Sequence, residues 1–268
     1  MPLVGPSTLN PQIGYPLNRQ VFYLFSGIRE ESRALVSFAA RTLGTGNVKT
    51  AVLAPDDASS AAIAEAVESE CRRSGWEGVA KLPYAGSRLD TEAVAKKLSG
   101  EGTDAVFVLS SGREAAALAA EAGKLGWKPS LFLPGALAGR EVLDAPPSFQ
   151  GKIYLSFPMR SSDQTPEGAM QYRAFAARHK ISSEHMAATI SAYCAAKVLV
   201  EGLQKAGRDL SREKLIVALE GIYKFDTGLT PPITYTPNRR IGARGAYVVE
   251  FQLANKKLAP AGGWIEVE

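Results

Sequence analysis

Two histidines and two cysteines are the whole supply of nitrogen and thiol ligands in this 268-residue chain. Their spacing is poor for catalysis. His179 and His185 stand six apart at a junction between helical segments, which is neither an HExxH spacing nor part of a Cys/His cluster. A solvated or capping role follows for both. Cys71 continues Ile63 and Val67 at four-residue steps, and Cys194 lies midway between Ile190 and Val198. Each thiol is therefore expected on the buried face of its own helix, reduced, with a disulfide between them left open. Asp56-Asp57 could coordinate a cation, but a carboxylate pair just ahead of a helix more often serves its N-terminal dipole. The glycines of GTGNVKT precede a strand instead of following one, and neither GxGxxG nor a P-loop occurs. LSSGRE lacks the glycine spacing of a nucleophile elbow. No constellation for catalysis is present, so the chain reads as a non-enzyme without cofactor or metal.

What recurs instead is a short loop of small residues after an apolar segment: APDDASS, LSSG and LPGA. Ser59, Ser60, Ser110 and Ser111 fall at or near helix N-termini, where backbone N–H groups and hydroxyls can hold an anionic or polar group. Each alone is equally an N-cap. Together they point to a ligand crevice, because open parallel sheets bind ligands outside the carboxyl ends of their strands. The opening LVGPSTLNP has the same character, two branched residues and then a hydroxylated loop.

The elements that position these loops alternate. KTAVLAPDD leads into SSAAIAEAVESECRRSG, GVAKLPYAG into DTEAVAKKLSGEG, and TDAVFVLSS into GREAAALAAEAGKLGW. PSLFLPGALA leads into a shorter helix around REVLDA, and the series closes with GKIYLSFPM. Continuous apolar strands such as AVFVL, each followed by a helix, imply a parallel sheet covered on both faces. After Met159 the rhythm changes. Thr165-Pro166 starts one helix to His179, a second runs from Ser183 to Ala206, and Ser211 caps a third. The tail is β-like: ITYTPN, a basic turn, and two strands with a hairpin tip at Asn255-Lys256.

Apolar residues make up 46% and charged residues 22%, the mix of a globular protein long enough to bury a large core. No run approaches eighteen uninterrupted apolar residues, which argues against a membrane span. The net charge of +4 is scattered, giving nucleic-acid binding no support. MPLVGP has neither the basic nor the apolar region of a secretory signal, so the protein stays inside or a leader is absent from this chain.

The order of LVGPSTLNP, KTAVLAPDDASSAAIAEAV, TDAVFVLSSGREAAAL, SLFLPGAL, GKIYLSFP, SAYCAAKVLVEGLQKAG and GLTPPITYTPNRR resembles the type I periplasmic solute-binding proteins of the leucine/isoleucine/valine-binding family, receptors of branched-chain amino-acid ABC transporters. The resemblance implies two α/β lobes of Rossmann-like parallel sheets joined by three crossovers and closing over a ligand. Here the crossovers would fall near Ser26 to Ile28, Pro158, and Ile233 to Thr236. Residues 27–158 and 235–268 would form a complete lobe two, and residues 1–26 and 159–234 a partial lobe one. Family members begin with several strand-helix units that this chain lacks, and an edge left unpaired by their absence would favour dimerisation.

Carried over residue by residue, the family's ligand loop after the first strand falls on Ser7, Thr8 and Leu9, with Leu9 where a polar residue is expected. The tyrosines expected after APDD and VLSS fall on Ser59 and Ser111. The expected acid near LPGA falls on Gly135, and the expected aromatic before the SAY helix on Ala188. Four large contacts become small, so the resemblance implies a crevice wider and less charged than a leucine site. The expected protein is a periplasmic receptor for an amino acid-like, aromatic or amide compound, partnered by ABC-transporter membrane subunits or a sensor. The alternative is a receptor-derived interaction module that has lost ligand binding.

Overall fold

A computed structural model describes residues 1–12, 14–44, 46–85 and 89–267. Thr45 of GTGNVKT, Gly86 of GVAKLPYAG and Glu268 of the tail lie outside them. The chain divides into two compact units, residues 1–27 with 158–244 and residues 28–157 with 245–268. Expected at Ile233 to Thr236, the third change of unit falls at Arg244/Gly245. The reason is pairing: Ile241–Ala243 forms a strand in the first unit's sheet, beside Val21–Phe25.

The strands are β1 (Leu3–Val4), β2 (Val21–Phe25), β3 (Thr50–Pro55), β4 (Ala80–Tyr84), β5 (Ala105–Val108), β6 (Ser130–Pro134), β7 (Ile153–Phe157), β8 (Ile241–Ala243), β9 (Gly245–Gln252) and β10 (Lys257–Glu266). The α-helices are α1 (Ile28–Leu43), α2 (Ala58–Arg73), α3 (Thr91–Glu101), α4 (Gly112–Lys124), α5 (Gly135–Ala138), α6 (Pro166–Arg178), α7 (Met186–Ala206) and α8 (Arg212–Glu220). The helix expected around REVLDA is a 3-10 turn, Glu141–Asp144.

Unit 2 holds a seven-stranded sheet in the order β10-β9-β7-β6-β5-β3-β4. The strands from β7 to β4 are parallel, and β9 runs antiparallel to β7 and to β10. Each strand-helix unit is bounded by local chemistry. Asp57 caps α2, Asp90 caps α3, and Gly102 ends α3 in the left-handed region at φ 66°, which glycine reaches without a steric cost. Side chains alternate between two cores. One packs α1 and α2 over Val52, Phe107, Phe132 and Tyr154, and the other packs Leu118 and Leu98 over Leu53, Val106 and Leu131. Phe107, Phe132 and Tyr154 stack across three adjacent strands at 5.1 and 5.3 Å between ring centres. Phe132 is fully buried in the middle of this stack. Phe132→Ala should therefore cost about 3 to 5 kcal/mol in a denaturant titration, the range for an aromatic deleted from a close-packed core.

Helix α1 and the stretch ITYTPN differ from the sequence expectation. Helix α1 begins IREESR, and this charged turn hides its apolar stripe. Yet Glu30, Glu31, Ser32 and Arg33 are all buried, because α1 packs against β6, β7 and β9. Arg33 is paired with Glu70 at 2.8 Å and Glu30 with Arg29 at 2.8 Å. ITYTPN does not form a strand: it makes isolated bridges, Phe225 with Ile233 and Thr236 with Arg239, and is held further by the Thr234 N–H on the Gly242 carbonyl, the Tyr235 N–H on the Ile222 carbonyl and the Tyr235 hydroxyl on the Tyr23 carbonyl.

Unit 1 has a three-stranded parallel sheet in the order β1-β2-β8. Phe22 and Leu24 of β2 are buried, while Val21, Tyr23 and Phe25 on the alternate face are only partly so. Phe22 meets Tyr235 edge-on at 5.2 Å, and the Arg240 guanidinium lies 4.5 Å over the Phe22 ring while pairing with Glu220. Helix α6 opens with Thr165 as N-cap and Pro166 at its first position, and Ser211 caps α8 through the Lys214 N–H at 3.2 Å. Helix α7 starts at Met186, three residues later than expected, with His179 and His185 occupying the two cap positions at the junction. Both cysteines are buried and free, and burial pushes the Cys71 thiol up to about 12. Although no long uninterrupted apolar run exists, α7 is by length and composition apolar enough to cross a membrane, and it packs against α8 and β1.

Candidate functional site

Because β3 to β7 are parallel, their carboxyl ends share one edge of the unit 2 sheet, and the loops that follow carry the candidate residues. After β3 the chain reaches Asp57, whose Oδ1 accepts the Ser59 and Ser60 N–H groups at 2.9 and 3.0 Å. The Ser60 hydroxyl donates to Oδ2 at 2.7 Å. These bonds, led by the Ser60 N–H, hold the Asp57 carboxyl below the usual carboxylate range. The Asp56 N–H donates to the Tyr84 carbonyl at 2.9 Å, tying this loop to the end of β4.

After β5 come Ser110 and Ser111. Ser111 caps α4 through a capping box: the Glu114 N–H donates to the Ser111 hydroxyl at 3.4 Å, and the Glu114 carboxylate accepts from the Ser111 N–H and hydroxyl at 3.0 Å each. Ser110 is buried, its hydroxyl beside that of Tyr84 but without a formed hydrogen bond. Burial, and next the Glu114 carboxylate, push the Tyr84 phenol up to about 12, so it stays a neutral donor. Ser111, Glu114, Arg113, Thr91 and Glu141 line a cavity of about 700 Å³ on this side of unit 2.

Gly135 corrects the sequence expectation. A Cβ at this position would lie 2.4 Å from Phe157 Cε1 and 2.5 Å from the Ser156 carbonyl oxygen. The missing acidic side chain has not left open room. The Phe157 ring and the β7 backbone occupy its place, and glycine is there because they approach so closely.

In unit 1, β1 is followed by Gly5 at φ +66°, where a Cβ would collide with that of Ala195 on α7 at 2.3 Å. This turn leads out to Ser7, Thr8 and Leu9, all exposed. Thr8 Oγ1 accepts the Asn10 N–H at 3.1 Å. The Leu9 carbonyl oxygen would lie 2.1 Å from a Cβ on Gly27, so the loop rests directly on that backbone. Ala188 is exposed on the first turn of α7. The structure thus brings Ser59, Ser60, Ser110, Ser111 and Gly135 to one sheet edge, while Ser7, Thr8, Leu9 and Ala188 belong to the other unit.

Sequence reasoning missed Tyr84, Glu114 and Phe157. Tyr84 and Phe157 end apolar strands, the same signal that marked the serine loops, and Ser111-Gly-Arg-Glu114 is the spacing of a capping box. Among the described residues no cluster of three or more metal-ligating side chains occurs.

A model of the family described as periplasmic binding protein matches residues 1–257. No curated protein matches the chain. Among solved structures, a branched-chain amino-acid ABC transporter protein from Thermus thermophilus with bound valine is 17% identical, with a TM-score of 0.70. The match covers 95% of this chain and 69% of that one. A leucine-binding protein from Thermotoga maritima is 16% identical, with a TM-score of 0.72 and coverages of 99% and 73%. An ABC-transporter solute-binding protein from R. palustris in complex with benzoate is 19% identical, with a TM-score of 0.66 and coverages of 93% and 68%. The chain spans about two thirds of the length of such structures. With a match along nearly its whole length and the two-unit α/β architecture, the chain belongs to the periplasmic binding protein family, type I.

Proposed function

We propose that this chain is an extracytoplasmic receptor that holds a small organic molecule for an ABC transporter or a sensor, without transforming it. The observation that carries the reading is the convergence of Ser60, Ser110, Ser111, Tyr84 and Glu114 on the carboxyl edge of a parallel sheet in a member of this family. Such an edge offers hydroxyl donors and helix N-termini to a polar group. Relatives of the same fold are described with valine and with benzoate. Because the Phe157 ring stands where an acidic partner for an α-ammonium group is expected, aromatic acids and amides rank ahead of α-amino acids.

The test is thermal denaturation against amino acids, aromatic acids and small amides. A ligand at one hundred times its Kd should stabilise by about 2.7 kcal/mol. If no compound raises the Tm, the receptor reading fails and the interaction-module reading, which the exposed apolar side chains of unit 1 favour, replaces it. Ser111 separates binding from folding. Ser111→Leu removes the cap and should cost about 1 kcal/mol besides binding. Ser111→Asn keeps a capping oxygen for the Glu114 N–H and a donor for the Glu114 carboxylate, so its Tm should stay near that of the parent while its bulkier side chain lowers ligand affinity at least tenfold. Unchanged affinity in Ser111→Asn would remove Ser111 from the site.

A further inference from the structure

One hydroxyl at the carboxyl edge of the unit 2 sheet is left without a partner. Ser110 lies between β5 and the α4 cap, is only 5% exposed, and its Oγ forms no hydrogen bond. Buried polar side chains nearly always find a partner. The group beside it is the phenol of Tyr84, the last residue of β4. Strand pairing carries Tyr84 to that place, because β4 and β5 flank β3, with Tyr84 opposite Pro55 and Val108 opposite Leu53. The Asp56 N–H fixes the Tyr84 backbone through its carbonyl at 2.9 Å, and the ring is half-buried. The Glu114 carboxylate also stands beside the phenol. Its Oε2 is taken by the Ser111 N–H and hydroxyl at 3.0 Å each, and its Oε1 has no donor among the described residues.

These three groups set a chemical requirement. A phenol that accepts the Ser110 proton has its own proton to give, so Ser110 and Tyr84 together present one O–H donor. Glu114 Oε1, a carboxylate oxygen, only accepts. A ligand that satisfies both needs an acceptor and a donor on neighbouring atoms. A carboxylate has no donor and meets like charge: Glu114 and Glu141 line the cavity of about 700 Å³, Asp57 acts on Tyr84, and Arg113 is the one cation among the described lining residues. An ammonium group has donors but no acceptor for the phenol. A primary carboxamide has both, without net charge.

Resting on the receptor reading of this edge, we infer that the ligand carries a primary carboxamide, its carbonyl oxygen on the Tyr84 hydroxyl and its NH2 group on Glu114 Oε1. Ser110 is the positioning residue: its buried hydroxyl gains a partner when the phenol turns its own proton to the ligand.

Calorimetric titration of the chain with benzamide, benzoate, benzylamine and leucine tests the assignment. Benzamide should bind at least about tenfold more tightly than each of the others, because a site built to hydrogen-bond a group rejects analogues that lack it. Tyr84→Phe should weaken benzamide about tenfold while the Tm stays near that of the parent, since only a hydroxyl is lost. Ser110→Ala should weaken it too, but add nothing in the Tyr84→Phe background, which a purely structural role for Ser110 would not produce. Glu114→Gln keeps the capping box, and by removing the like charge it should bring benzoate to within about threefold of benzamide. Benzoate, benzylamine or leucine binding as tightly as benzamide overturns the inference, and so do affinities indifferent to both Tyr84→Phe and Glu114→Gln. If none of the four binds and the thermal screen finds a ligand without a carboxamide, the assignment falls and the receptor reading stands. A screen without any ligand removes both.

Discussion

Raising the pH from about 5 to about 8.5 is expected to cost the folded chain about 4 kcal/mol, and Glu31→Gln is expected to abolish most of that loss. Glu31 is buried at the start of α1, and its carboxyl is raised from 4.5 to about 8. Burial is the largest cause, the hydrogen bond from the Ser156 hydroxyl at 3.3 Å opposes it, and the neighbouring Glu30 carboxylate adds to it. The folded state therefore keeps a proton that the unfolded state gives up. Stability from the neutral carboxyl is complete below the unfolded value, declines as pH rises between 4.5 and about 8, and is gone above that window. Every tenfold difference in proton affinity between the folded and unfolded carboxyl corresponds to about 1.4 kcal/mol, and a loss of about 4 kcal/mol in a chain of this size lowers the Tm by roughly 10 °C. Glutamine has the shape of the protonated acid and retains an oxygen acceptor for Ser156. Above pH 8 the variant should be the more stable protein, and near pH 5 the two should melt together. Parallel Tm-against-pH curves for parent and variant would show that Glu31 ionises normally.

The elements most legible in the sequence were those whose residues act locally. Continuous apolar strands such as AVFVL, the alanine-rich helices and the caps at Asp57, Thr165 and Ser211 depend on neighbours a few positions away, so spacing reveals them. Helix α1 was illegible for the opposite reason. Its charges are matched by Glu70 and Ser156, 37 and 125 positions distant, and no local window reports a partner so remote. β8 was missed because a three-residue strand carries too few side chains to display a period, which is also why the third change of unit was expected too early. At the candidate site, the serine loops were visible as small residues after strands. Tyr84 was not, since its place beside Ser110 and Glu114 depends on β4 pairing with β3 at the sheet's edge.

Gly135→Ala is expected to destabilise unit 2 by about 3 kcal/mol, more than a single added methyl group costs at most positions. The new Cβ would be held 2.4 Å from the Phe157 ring and 2.5 Å from the Ser156 carbonyl oxygen, and neither distance is attainable without movement of β7. Phe157→Ala alone should cost about 2 kcal/mol, since the ring is only partly buried and deletion of a wholly buried one costs about 3 to 5 kcal/mol. Combined, the two changes should be less destabilising than their sum by at least about 1 kcal/mol, because removing the ring frees half of the space that the methyl needs. The carbonyl clash remains, so the rescue should stay partial. This coupling decides what the glycine means for the ligand. If the ring fills the position, an acidic side chain cannot simply be restored there: Gly135→Asp should unfold the parent and be tolerated better with Phe157→Ala, and only that double variant offers an α-ammonium group a carboxylate. Additive single and double costs would instead mean that Phe157 yields without strain, and the wider crevice expected from small residues at Gly135 and Ser111 would be the better account.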